Sequence, residues 1–205
     1  MNLRLVWIII MTMFIYGGCS SMLIKSTPAP AVYQLEYAPV RSSCEHIFKD
    51  GVRIWAFTAS SPYDSEDMVV VKSSGEVVSS DTFRWVASPG KMVAQALMRD
   101  LSEGKMFPQT LMGNDPNTAP LQLTGRIFDF SLREGEGSSV AVLKVEVTLT
   151  NSMENRVLFK KNYNLESKPF ERNSSARFAY AMSELVRDLS QKLSSDLCNE
   201  AGKSS

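Results

Sequence analysis

Few residues in this chain could do chemistry. Its 205 residues hold one histidine, His46, and it follows Cys44 and Glu45 directly. Thiol, carboxylate and imidazole are the parts of a nucleophilic site, but neighbours on an extended backbone point to opposite faces and do not converge on one reacting atom. His46 is therefore read as non-catalytic. Zinc sites use cysteine and histidine pairs at characteristic spacings, and none occur. Gly135 and Gly137 belong to a turn-forming stretch, EGEGSS, and no GxxxxGK[ST] phosphate loop is present. Asp64, Glu66 and Asp67 cluster after Pro62, as residues of an exposed loop do. Asn173-Ser174-Ser175 matches a glycosylation sequon, but serines ahead of an apolar periodic run also cap a helix. The chain is read as a non-enzyme without cofactor or metal.

A third thiol has a different setting. After Asn2 and Arg4, residues 5–15 read LVWIIIMTMFI, and YGGCSS follows at 16–21. An apolar run of this length suits the roughly 7–15 residues of a signal-peptide core and falls short of the roughly 18–20 that span a membrane. Gly17 and Gly18 supply the small residues that a signal peptidase requires, and Cys19 comes next. Gly18-Cys19 resembles the lipobox of bacterial lipoproteins, in which the cysteine is acylated and becomes the mature N-terminus; Tyr16 departs from the leucine usual there. The alternatives are an ordinary cleaved signal or a short uncleaved anchor. On the lipoprotein reading, residues 1–18 are the signal peptide and Cys19 the lipidation site. Several acyl chains would make a durable anchor where one would not. Ser20 in place of aspartate implies the outer membrane by the same resemblance, with the folded part facing the periplasm.

In an oxidising compartment the remaining pair, Cys44 and Cys198, invites a disulfide. The alternative is two unrelated buried thiols. Residues 19–31, with Pro28 and Pro30, read as a tether of about 40 Å at most. Met22, Leu23 and Ile24 form a short apolar interruption in it that could dip into a membrane interface. Twenty-two basic and 22 acidic side chains cancel. That balance offers no basic field for nucleic acid and no polybasic patch for anionic lipid.

Residues 32–200 are expected to form one α+β domain, with a disordered tail at 201–205. VYQLEY (32–37) alternates as a strand does, VRIWAFTA (52–59) is apolar on both faces and suits a central strand, and DMVVVK (67–72) is another. EVVSSDTFRW carries the chain to Trp85. A helix follows, with Ser88 as cap, Pro89 in its first turn, a stripe of Met92, Val93, Ala96, Leu97 and Leu101, and Gly104 as stop. Three strands at 121–132, 140–150 and 156–165 predict an antiparallel meander, with a bulge at Gly125. Phe178, Met182, Leu185, Val186, Leu189, Leu193 and Leu197 predict a last helix from Ser174 or Ser175. The expected fold is an antiparallel-rich sheet with two long amphipathic helices packed mainly on one face.

Taken in order, VRIWAFTAS, Pro62-Tyr63, MVVVKSSGEV, Phe83-Arg84-Trp85, the ASPGK turn and a helix ending before Phe107 resemble the ABC-type transport auxiliary lipoproteins (the PqiC-like family). Tyr33-Gln34-Leu35 takes the place of that family's opening Tyr-x-Leu strand. Ser60-Ser61-Pro62-Tyr63 matches its proline-rich loop only in part. The resemblance implies a non-catalytic component of a lipid transport system in a Gram-negative envelope. Its partner would be an MCE-domain protein, and a separate ATPase would supply energy. Tyr63, Arg84 and Trp85 are candidate partner-binding residues, since Tyr, Trp and Arg are enriched at hot spots. Trp85 in the core beside the helix is the competing reading. An envelope scaffold (a cell-wall synthase activator or secretion subunit), a lipid-binding carrier and a homo-oligomer stay open.

Overall fold

The longest alternating stretches make the frame on which the other elements are placed. The computed structural model describes residues 29–41, 44, 47–172 and 174–203. Their elements are strands β1 (Ala31–Tyr33), β2 (Val52–Ile54), β3 (Thr58–Ala59), β4 (Asp67–Val71) and β5 (Val77–Trp85), then helix α1 (Pro89–Glu103). Strands β6 (Thr110–Met112), β7 (Leu121–Glu134), β8 (Ser138–Asn151), β9 (Arg156–Glu166) and β10 (Phe170–Glu171) follow, and helix α2 (Ser175–Lys203) closes the chain. Cys19, Glu45, His46 and Asn173, with the expected signal peptide and most of the tether, lie outside the described residues.

Strands β7, β8 and β9 form an antiparallel meander, with Leu123 opposite Leu149 and Val145 opposite Tyr163. Gly137 takes the left-handed φ of +84° that its turn requires, and Asn155 does the same at +48° in the next. Along β8, Val145, Val147 and Leu149 are buried, whereas Lys144, Glu146 and Thr148 are half-exposed. One face of the meander is thus core and the other meets solvent.

The other edge of β7 is shared by three short strands in series. β2 lies beside Leu121–Leu123, β3 beside Arg126 and Ile127, and β4 beside Ser131–Arg133, all parallel to β7. β6 flanks β2, β5 flanks β4, and β1 lies parallel to β5 at the far edge. Among the described residues the sheet is mixed, where the alternation predicts an antiparallel-rich one. The reason is that residues 52–71 travel alongside β7 in its own direction.

Residues 52–59 are two strands, not one. At Phe57 the backbone leaves the sheet and donates to the Gly90 carbonyl (3.1 Å) at the start of α1. The Phe57 ring lies on Gly125, where a Cβ would stand 2.3 Å from ring carbons. Gly125 therefore provides room for a ring, and the bulge expected there falls instead between Ile127 and Asp129. That extra residue switches the inward set from Leu121, Leu123 and Ile127 to Phe130 and Leu132.

Both helices bury the residues their periodicity marks, Met92, Val93, Ala96, Leu97 and Leu101 on α1 and Phe178 through Leu197 on α2. They touch each other and the sheet. Pro89 occupies the first turn of α1, but the Ser88 side chain makes no capping bond; its carbonyl accepts from Lys91 (3.0 Å) and Met92 (3.1 Å). Gly104 ends the helix in right-handed geometry, and Lys105, at φ 50°, takes the left-handed turn. α2 continues to Lys203 with Ala201 buried, so the tail expected to be loose from 201 is helical that far. Trp85, Phe130 and Phe178 meet edge-to-face at 5.3 and 5.5 Å, joining β5, β7 and α2. Each such ring stabilises the fold by about 1.5–3 kcal/mol through burial.

Candidate docking surface

Between β1 and β2 the chain forms a strap across both helices. β1 pairs Ala31 with Phe83 and Tyr33 with Trp85. The Tyr33 hydroxyl shares a 2.9 Å hydrogen bond with Ser175 at the start of α2. The Glu36 amide donates to the Ser183 hydroxyl (3.0 Å), which donates in turn to the Ala179 carbonyl. Next the strap reaches α1. Tyr37 donates to one oxygen of Asp100 (2.7 Å), and the Val40 amide to the other (3.2 Å). Arg99 donates to the same carboxylate (3.0 Å) and stacks over the Tyr37 ring at 4.3 Å. Asp100 is 1% exposed. Burial, then the Asp100 charge, push the Tyr37 phenol well above its ordinary value, with Arg99 opposing.

A disulfide closes the strap. Cys44 and Cys198 are bonded at 1.97 Å, with Cα atoms 5.7 Å apart. Beyond it the Phe48 amide donates to the Met106 carbonyl (3.0 Å), and its ring stacks on Phe107. A pull applied before Ala31 therefore reaches the sheet edge, both helices and the end of α2 in succession.

The three residues singled out for partner binding fall in different settings. Trp85 is 0% exposed, fully enclosed between Phe130 and Phe178, and so presents no surface to a partner. Its inward direction follows from strand alternation, because Phe83 and Trp85 share the core side while Arg84 points out. Arg84 is exposed, flanked by Val32 on β1 and Asp67 on β4. Tyr63 is half-buried in the loop ahead of β4. Burial and the nearby Asp129 carboxylate raise its phenol above the ordinary value, with Ser131 and Arg133 acting the other way. Asp129 is itself buried and accepts from Ser131 (2.6 Å) and from Arg133. This cluster fixes the Tyr63 loop against the bulge.

One further feature escapes the sequence motifs. A groove of about 580 Å³ runs between residues 166–170 and the first turns of α2. Pro169, Phe170, Tyr180 and Leu185 contribute apolar surface, and Arg177 and Asp188 contribute charge. Tyr180 is 66% exposed. The available signal was an aromatic residue lying off the buried stripe of its helix. An exposed aromatic in an apolar groove with a charged rim can seat a protein partner.

The architecture recurs in solved structures. The crystal structure of a DUF330-family protein from Xanthomonas campestris superposes with a TM-score of 0.74 at 12% identity, covering 85% of this chain and 98% of that one. An uncharacterised protein gives 0.57 at 15% identity, covering 84% and 98%. A hypothetical protein from Chlamydia trachomatis gives 0.51 at 9%, covering 75% and 98%. At these identities the likeness shows a shared fold. No curated protein matches the sequence. The family described as the ABC-type transport auxiliary lipoprotein component matches residues 33–194, and this chain belongs to it. Membership makes the chain an auxiliary component of an ABC-type transport system in the cell envelope.

Proposed function

We propose that this chain is the lipid-anchored docking subunit of an ABC/MCE-type system that moves phospholipid or another hydrophobic substrate between inner and outer membranes. Cys19 carries the acyl chains after removal of residues 1–18, residues 19–31 form the tether, and the body faces the periplasm from the outer membrane. The partner is an MCE-domain protein, as the resemblance implies, and the ATPase that drives transport is a separate chain. Arg84, Tyr63 and the groove around Tyr180 are the contacts proposed for that partner. Trp85 is not among them, because it is buried.

The observation that supports this reading most strongly is the strap. Hydrogen bonds to Ser175, Ser183 and Asp100 and a covalent cross-link to α2 fasten the segment that joins the tether. A subunit that holds an assembly to a membrane needs that mechanical continuity. A carrier instead needs an apolar cavity of roughly 300 Å³ or more around its cargo. Here the space between sheet and helices is filled by Trp85, Phe130, Phe178 and Leu97, each under 2% exposed. The groove around Tyr180 is large enough, but Glu166, Lys168, Arg177, Glu184, Arg187 and Asp188 line it with charge, which suits a protein surface better than an apolar cargo.

Envelope fractionation tests the proposal. The chain is expected to band with the outer membrane and to retain a share of the MCE-domain protein there; Cys19→Ala should abolish both. An unchanged MCE distribution would contradict docking. Displacement of a cell-wall synthase or secretion apparatus would support a scaffold, and lipid co-purifying in stoichiometric amount would support a carrier.

A further inference from the structure

Beside the start of β1 the helix-facing side of the sheet is incompletely covered. α2 begins at Ser175, and ahead of it β4, β5 and β7 leave a groove of about 170 Å³. Met68, Val70, Phe83, Leu132 and Phe178 give it an apolar lining, to which Ser80, Ser174, Ser175 and Glu134, the last paired with Arg172, add polar groups. Val70 and Phe83 are only partly buried, so apolar surface is open to an occupant. Beside the groove the pairing of β4 with β5 shifts register: Asp67 pairs with Arg84, but Val69 already pairs with Ser79. The excess residues of β5 turn on the Ser80 hydroxyl, which accepts the amides of Thr82 (3.3 Å) and Phe83 (3.1 Å).

The described chain starts at Ala29, two residues ahead of Ala31, which pairs with Phe83 of the groove lining. β1 is parallel to β5 with Ala31 opposite Phe83, so its backward continuation passes Asp81 and Ser80. Between Cys19 and Ala29 one aliphatic run occurs, Met22-Leu23-Ile24. Residues 25–29 separate it from Pro30 and reach about 18 Å when extended, enough to return to the groove. A volume of about 170 Å³ lies well below the roughly 300 Å³ where small-molecule sites begin. It suits an aliphatic side chain with its neighbours across the margin, and is too small for a whole lipid.

We propose that the groove takes the chain's own tether, with Leu23 seated in it and Met22 and Ile24 lying across its edges. Seating shortens the free span from about 40 Å to the stretch from Cys19 to Met22, with Ser20 and Ser21 between them, about 10 Å. The body is then held against the membrane, and release of Leu23 lets it stand off. The inference needs residues 22–24 to stay attached to the body and does not depend on which partner is bound.

Methyl NMR on the full chain in detergent micelles tests it. Nuclear Overhauser cross-peaks are expected from the Leu23 methyls to the Val70 methyls and the Phe83 ring. Mixing labelled with unlabelled protein should show that they arise within one chain. Ser80→Trp, which fills the groove from its margin, and Leu23→Ser should each reduce them to baseline, and Leu23→Ser should shift the Val70 methyls. Leu23 methyls that contact only detergent chains, only a second copy or nothing would overturn the proposal. So would Val70 shifts identical in Leu23→Ser and the parent.

Discussion

Asp100→Ala removes the acceptor that holds the strap to α1, and its cost can be worked out bond by bond. Asp100 receives the Tyr37 hydroxyl and the Val40 amide from the strap, and Arg99 from its own helix. Hydrogen bonds to charged groups contribute about 1.5–3 kcal/mol each, and a buried donor left unpaired costs about 1–3 kcal/mol. Val40 is 7% exposed, so its amide incurs most of that cost; the half-buried Tyr37 recovers part of its loss from water. The Arg99 side chain is 36% exposed, and its share is discounted for solvent screening. The expected total is about 3–4 kcal/mol. Tyr37→Phe should cost about 1–2 kcal/mol, and the double variant should show a coupling of about 1–2 kcal/mol. Urea denaturation with the disulfide intact measures all three. Hydrogen exchange should show the amides of Glu36 and Val40 losing protection while β7 and β8 keep theirs. Strict additivity, or a cost under about 1 kcal/mol for Asp100→Ala, would refute the account of how the strap is held.

Other outcomes follow from the same geometry. Reducing the disulfide, or Cys44→Ser with Cys198→Ser, opens a loop of 154 residues. The chain-entropy relation then predicts a loss of about 5 kcal/mol, read as a drop in urea midpoint. Trp85→Ala should destabilise by about 3–5 kcal/mol, whereas Arg84→Ala should change stability by under about 0.5 kcal/mol and weaken partner binding. Tyr37 and Tyr163 carry raised phenol pKa values, in each case from burial first, with Asp100 and Asp196 adding to it. Above the unfolded value of about 10 the unfolded chain releases protons that the native state keeps. Their contribution is therefore complete below about pH 10. Above it, stability falls by up to about 1.4 kcal/mol per pH unit per tyrosine, until the native phenols titrate. Tyr37→Phe or Tyr163→Phe should flatten that fall in urea midpoints taken from pH 9 to 11.

Residue spacing carried the helices and the meander well, because burying one face imposes a period that the side chains must match. Met92 to Leu101 and Met182 to Leu197 are inward where their spacing puts them. Strand partners were less legible. Nothing in VRIWAFTA announces that Phe57 will leave the sheet to hold Gly90, or that its ring is why residue 125 is glycine. Gly125 looks like a bulge residue in isolation, but its cause lies almost seventy positions away in the chain. The parallel pairing of β2, β3 and β4 with β7 is non-local in the same sense. Trp85 shows how a composition argument yields to alternation: aromatics are enriched at interfaces, yet its place next to the outward Arg84 in a strand directs it inward. Tyr180 carried the converse signal, an aromatic off its helix's apolar stripe. The grip of Asp100 on the strap left no trace in sequence, because one acidic residue in a helix gives no sign that two distant donors converge on it.

Affinity purification of the tagged full chain from detergent-solubilised envelopes tests the central claim most directly. The MCE-domain protein, with its permease and ATPase, should co-elute, in amounts that fall when Arg84→Ala and Tyr180→Ala are combined while the fold survives. Elution of the folded chain without any MCE-domain protein, under conditions that keep the rest of that transporter assembled, would contradict it.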